Sequence, residues 1–158
     1  MIELETKERL IFLSRVVKKE IKHLKYSAKK LFATEFTIEK AESLAHDDEL
    51  AEQLEVFISR FCRLQDTVGD KLLPTWLSVL NERTKTAIDN LDKAEKIGVL
   101  PSVELWLELR QIRKQMVHEY IEDLTILTNA VQTSYQQLDF IINVAEAIIS
   151  DLEKRKII

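Results

Sequence analysis

Two glycines and two prolines in 158 residues leave this chain almost nothing with which to turn a β-sheet. Hairpins and barrel corners draw repeatedly on such residues, and a multi-stranded sheet needs several. The apolar residues instead recur at spacings of three and four, the period of one face of a helix. The expected class is all-α: an antiparallel, up-down four-helix bundle with one or two additional short helices, formed by residues 1–158 as a single domain.

The first stripe runs Leu10, Leu13, Val17, Ile21, Leu24, Ala28, Leu31, a long amphipathic helix. Thr37 offers an N-cap for a short turn, and Asp47, Asp48 and Glu49 place carboxylates where a second long helix begins. That helix buries Leu50, Leu54, Phe57, Phe61, Leu64 and Val68, weakens near Gly69 and bends before Pro74, so a kinked piece from Leu72 to Leu80 is expected. A short helix from Thr86 stops at Gly98, which can adopt the left-handed conformation of a helix end. The next starts after Pro101 and Ser102, runs from about Val103 to about Tyr120, and buries Leu105, Leu109, Ile112 and Met116 with Trp106 beside them. The last begins near Asp123 and repeats Val131, Leu138, Ala145 and Leu152 at one heptad position and Ile141 and Ile148 at another. Tyr135, Ile142 and Ile149 widen that stripe, enough to face a second subunit as well as the core.

The charge balance, 23 Lys+Arg against 27 Asp+Glu, gives a formal net charge of −4. Bulk non-specific nucleic-acid binding needs a broad basic surface, so any nucleic-acid site here is local. The lone Cys62 excludes a disulfide framework, and His23, His46 and His118 are too scattered for zinc-ligand spacing; no metal or cofactor is expected. No apolar run approaches the roughly 18 residues of a membrane span, and the acidic, mixed start MIELETKERL is unlike a signal peptide. A cytoplasmic protein without a membrane partner is expected.

One stretch departs from the plain amphipathic pattern. ELRQIRKQMVHEY, Glu108 to Tyr120, packs Arg110, Arg113, Lys114, His118 and Tyr120 into three turns. Arg113, four intervening residues, His118, one residue and Tyr120 form an R-x4-H-x-Y arrangement that a shuffled chain of this composition reaches in about 0.003 of cases. At about 100° per residue, His118 lies about 140° around the helix from Arg113, whereas Tyr120 lies within about 20° of it. One straight helix therefore cannot aim Arg113 and His118 at the same small target. Either the helix deforms near its end or a second copy completes the pair across a two-fold axis.

The arrangement is similar to the signature of the HEPN domain family, and the segments RFCRLQDTVGDKLLP (Arg60 to Pro74) and LDKAEKIGVLPSVELWLELR resemble blocks of its toxin subfamily paired with a minimal nucleotidyltransferase antitoxin. The resemblance covers most of residues 45–121 and departs from the usual pattern at Lys114 and Ile121. It implies a metal-independent endoribonuclease acting as a homodimer, with Arg113 and His118 catalytic and Arg110 and Lys114 as weaker phosphate contacts. It also implies that the antitoxin silences Tyr120 by attaching AMP. The alternative it leaves open is a non-catalytic subunit that binds substrate or nucleotide for the nucleotidyltransferase. In the plain structural reading, Arg113 pairs with Glu108 or Glu119, Asp66 and Asp70 form surface or interface pairs near Arg63, and Trp76 and Trp106 are core or interface residues.

Overall fold

The computed structural model describes residues 2–82, 86–118 and 122–158, and every regular element within them is helical. Helix α1 (Leu4–Leu31) buries all seven apolar positions expected of it, from Leu10 to Leu31. Beyond it, the Lys40 ammonium donates to the carbonyls of Leu31 and Thr34, giving the open end of α1 a cation. Burial lowers the pKa of Lys40 there. Helix α2 (Ile38–Glu42) starts where Thr37 Oγ1 accepts the Lys40 amide at 3.1 Å. A single 3₁₀ turn leads to Asp47, whose side chain accepts the Leu50 amide at 3.0 Å and caps α3 (Asp48–Thr67).

Helix α3 lies antiparallel to α1. Phe32 meets Phe57 edge-on at 5.3 Å, Arg60 donates to the His23 carbonyl and the Ser27 hydroxyl, and Thr67 donates to Glu20, so numbers fall along one helix as they rise along the other. At Val68–Leu72 the helix loosens into a π turn, where the Leu73 amide reaches back five residues to the Val68 carbonyl. Helix α4 (Leu73–Val79) continues from it with Pro74 in its first turn, where a missing amide costs little. Trp76 is fully buried on α4 and its indole N–H donates to Asp151 at 2.8 Å, tying this piece to the last helix.

Helix α5 (Ala87–Ile97) is capped by Thr86 and closed by Gly98 at φ +100°, as its sequence predicts. The Glu95 carboxylate accepts the Val103 amide and Ser102 accepts the Leu105 amide, so both satisfy the start of α6 (Val103–His118). Helix α6 also runs antiparallel to α3 and buries Trp106, Leu109, Ile112 and Met116. Leu105, expected in that stripe, is only half-buried; the wider Trp106 ring takes the core position. The expected reach of this helix to Tyr120 lies outside the described residues.

The long final helix expected from the heptad pattern is two helices, α7 (Leu124–Gln136) and α8 (Leu138–Lys154), broken at Gln137. The reason is tertiary: α7 packs on α6 and α2, whereas α8 packs on α1 and α4. Of the three residues that widen the stripe, Tyr135 is exposed, at 44%, and the other two are not. Ile142 and Ile149 are 3% and 4% exposed within the single chain, while Tyr135 stacks on Phe32 with ring centroids 3.9 Å apart. Buried residues from α1 through α8 join one hydrophobic core. Among the described residues no helix is long and apolar enough to cross a membrane.

The register of α6 on α3 turns on Gly69. A Cβ built there stands 3.0 Å from Cζ2 of Trp106, a residue that is 1% exposed and packed in the core. Alanine's better helix propensity is therefore outweighed by overpacking, and Gly69→Ala should destabilise the protein by about 1–2 kcal/mol. Chemical denaturation checks this; a variant as stable as the parent would show that the ring can yield.

Candidate functional site

Arg113 is placed by the same periodicity that builds the core. On an ideal helix it lies within about 20° of Trp106 and about 40° of Leu109, at the edge of the buried stripe. A guanidinium there needs a partner, since an unpaired buried charge is costly. It finds one on α3: Nη1 and Nη2 donate to the two oxygens of Asp66 at 2.6 and 3.1 Å, the paired geometry that suits a planar fork. Among the described residues its partner is this acid and not Glu108, while Glu119 lies outside them. Burial acts against the charge of Arg113, but the hydrogen bonds and charges around it, Asp66 first, outweigh burial and raise its pKa.

Asp66 and Asp70 also receive Arg110, whose Nη2 lies 4.0 Å from one and 3.5 Å from the other. Two acids from α3 and the π turn thus meet two arginines from α6. Gln65, 1% exposed, completes the clamp by donating to the Trp106 carbonyl at 3.1 Å. The sequence signal for this cluster was the position of Arg113 on the buried stripe, which calls for an acid without saying which.

Arg113 and His118 both border an open cleft of about 810 Å³ between the C-terminal halves of α3 and α6. Its α3 wall includes Cys62, Arg63, Asp66 and Thr67, followed by Lys71 from the π turn. A second concavity of about 800 Å³ on the outer side of α6 carries Arg110 and Lys114 and shares Cys62, Arg113, Val117 and His118 with the first. All four basic residues singled out in the sequence therefore lie along one trough. His118 is exposed at the last turn of α6, and no hydrogen bond or ion pair joins it to Arg113 among the described residues. Tyr120 lies outside the described residues.

Cys62 sits half-buried beside Arg113. Burial pushes its thiol up in pKa, and the nearby guanidinium offsets this only in part, so the group stays a thiol at neutral pH rather than a nucleophile. No group of three His, Cys, Asp or Glu able to hold a metal occurs among the described residues. Glu20 reaches the far side of the α3 wall from α1. One of its oxygens accepts from Thr67 Oγ1 at 3.1 Å and the other is buried without a partner. Burial raises its pKa, against the Thr67 hydrogen bond and the charges of Arg63 and Lys71.

Two predictions follow from these contacts. Asp66→Ala leaves the Arg113 side chain, 20% exposed, without its partner, yet Asp66 itself is 45% exposed. Solvent therefore limits the cost to about 1–2 kcal/mol, a fall in Tm of about 2–6 °C; an unchanged melt would mean that water replaces the pair fully. Glu20 holds its proton to higher pH in the folded chain than in the unfolded one, so its contribution to stability falls as pH rises from the ordinary carboxylate range through its raised folded value. Glu20→Gln should flatten that decline and raise Tm at neutral pH. Melts across pH 4 to 8 that keep the parent's slope would contradict it.

Compared with known proteins, the chain matches no family model, no curated protein and no solved structure.

Proposed function

We propose that this chain is a metal-independent endoribonuclease of the HEPN type, a toxin that cuts RNA at the Arg113 and His118 cleft. The observation that carries the reading is that the R-x4-H spacing lies on the wall of an open cleft with its arginine half-buried and its histidine exposed. The ribose 2′-hydroxyl attacks the adjacent phosphorus and the bond to the 5′-oxygen breaks; His118 carries one of the two protons, as base to the 2′-hydroxyl or acid to the leaving 5′-oxygen, and water carries the other. Arg113 stabilises the charge that grows on the phosphoryl oxygens, with the donor hydrogens that Asp66 leaves open. Arg110 and Lys114 hold phosphates along the trough, Arg110 more weakly because Asp70 shares it.

The fold of this reading is an antiparallel four-helix bundle with short additional helices, supported by the antiparallel pairing of α3 with both α1 and α6. The active form is a homodimer. Support for a second copy comes from the trough rather than from α8: Val117, between Arg113 and His118, is 57% exposed, whereas the α8 stripe is already covered. The protein acts in the cytoplasm, and its antitoxin is a minimal nucleotidyltransferase that attaches AMP to Tyr120. A bulky anion two residues from His118 would close the cleft to RNA.

A second reading is favoured by one observation. Both terminal nitrogens of Arg113 are already engaged by Asp66, which suits a non-catalytic subunit that holds a nucleotide for the nucleotidyltransferase.

The deciding experiment incubates purified protein with total RNA in excess EDTA beside His118→Ala. Cleavage by the parent, a loss of at least about 100-fold in the variant, and an intact DNA oligonucleotide of matching sequence are expected, because the base is gone in one case and the 2′-hydroxyl in the other. Equal cleavage by the folded variant would overturn the assignment. A parent that cuts nothing yet binds AMP, and loses that binding in Arg113→Ala, would establish the second reading.

A further inference from the structure

One row of α3 forms the wall of the cleft opposite α6. Glu55, Ser59, Arg63, Thr67 and Lys71 follow at intervals of four, and all five border it. In an uninterrupted α-helix each step of four drifts by about 40°, so Lys71 would lie about 80° around from Arg63. The π turn at Val68–Leu72 removes that drift. A residue there turns through about 82° instead of 100°, which brings Lys71 back to within about 10° of Arg63. The two cations therefore stand in line along about 12 Å of helix, on either side of Thr67.

These cations differ from those of α6. Arg110 and Arg113 are tied to Asp66 and Asp70 by ion pairs, whereas Arg63 and Lys71 are exposed, form no side-chain hydrogen bond or ion pair among the described residues, and share the longer-range charge of Glu20. The row is also polar from end to end, running from the Glu55 carboxylate to the Lys71 ammonium. An anionic strand is repelled at one end and drawn to the other. Between this row and α6 the lining mixes the Asp66 carboxylate and Cys62 with an apolar part from Ile58, Met116 and the exposed Val117, and Glu122 also borders the cleft. The volume of about 810 Å³ lies at the upper end of the range for ligand sites, far more than one phosphate needs.

We propose that the Arg63–Lys71 row is a second subsite for single-stranded RNA, in which the two cations hold backbone phosphates flanking the cut and the apolar lining receives the neighbouring base. This rests on the ribonuclease reading and adds a substrate class to it: an unpaired strand extending beyond the dinucleotide that is cut. These exposed cations add to the electrostatic grip of a chain whose net charge is −4. The apolar wall gives the base a surface without reading its hydrogen-bond pattern, so length matters more than sequence at this subsite.

The test compares a dinucleotide with a ten-residue RNA carrying the same dinucleotide at its centre, using the parent, the Arg63→Ala and Lys71→Ala double variant, and the charge-conserving Arg63→Lys. The parent should cleave the longer RNA with a kcat/KM about tenfold higher. The double variant should lose most of that ratio through KM, and the dependence of its KM on salt should flatten by about 1 in the log–log slope. Arg63→Lys should keep both. Both alanines replace exposed side chains, and circular dichroism confirms the fold. A parent indifferent to length, or a double variant with the parent's ratio and salt slope, overturns the subsite while leaving the ribonuclease reading intact. A parent that cleaves neither substrate overturns both.

Discussion

Helix α6 can lie where it does because residue 69 has no side chain. The Trp106 ring rests on the backbone of the π turn at a distance that a Cβ would bring to 3.0 Å, and that approach fixes how far α6 sits along α3. Everything else between the two helices follows from this register. Gln65 meets the Trp106 carbonyl, Asp66 meets Arg113 about two turns further along α6, and Asp70 meets Arg110. The π turn does double duty: it opens the helix for the indole, and it re-aims Lys71 toward the cleft. Moving the contact by one residue would separate Arg113 from its acid and leave a half-buried guanidinium without a partner, a cost that polices the register.

The same register sets the electrostatics of the cleft. Asp66 steadies the Arg113 guanidinium and spends part of its charge, so the arginine is oriented before any ligand arrives. Nη1 also lies 3.5 Å from Gln65 Oε1, so two neighbouring residues of α3 hold the fork. His118 stands in contrast, exposed at the end of α6 and free of such ties among the described residues. The two residues share a cleft wall while facing different directions, in keeping with the rotation of about 140° between them on an ideal helix.

Much of this was legible from local chemistry. Thr37, Asp47 and Thr86 cap helices as their side chains suggest, Gly98 closes α5 with positive φ, and the α1 and α3 stripes are buried as spaced. The caps depend on neighbours within four residues, and the stripes on a period that repeats within two turns. The failures are all tertiary. The heptad pattern from Val131 to Leu152 runs unbroken through Gln137, and nothing local there breaks a helix; the break arises because the two halves serve different partners. Likewise, Asp66 is 47 residues from Arg113, beyond the reach of any pairing rule along one helix. The R-x4-H spacing singled out α6, but the acid that holds Arg113 and the α3 row facing it emerged only once the helices were packed.

The central claim is that a 2′-hydroxyl, and not water or a metal-bound oxygen, attacks phosphorus in the Arg113 and His118 cleft. The chemical ends of the cut RNA test this most directly, by mass spectrometry of the fragments from a defined single-stranded substrate. The account predicts a 2′,3′-cyclic phosphate on one fragment and a 5′-hydroxyl on the other, since the attacking oxygen stays on phosphorus and the 5′-oxygen leaves. Fragments ending in a 3′-hydroxyl and a 5′-phosphate would contradict it.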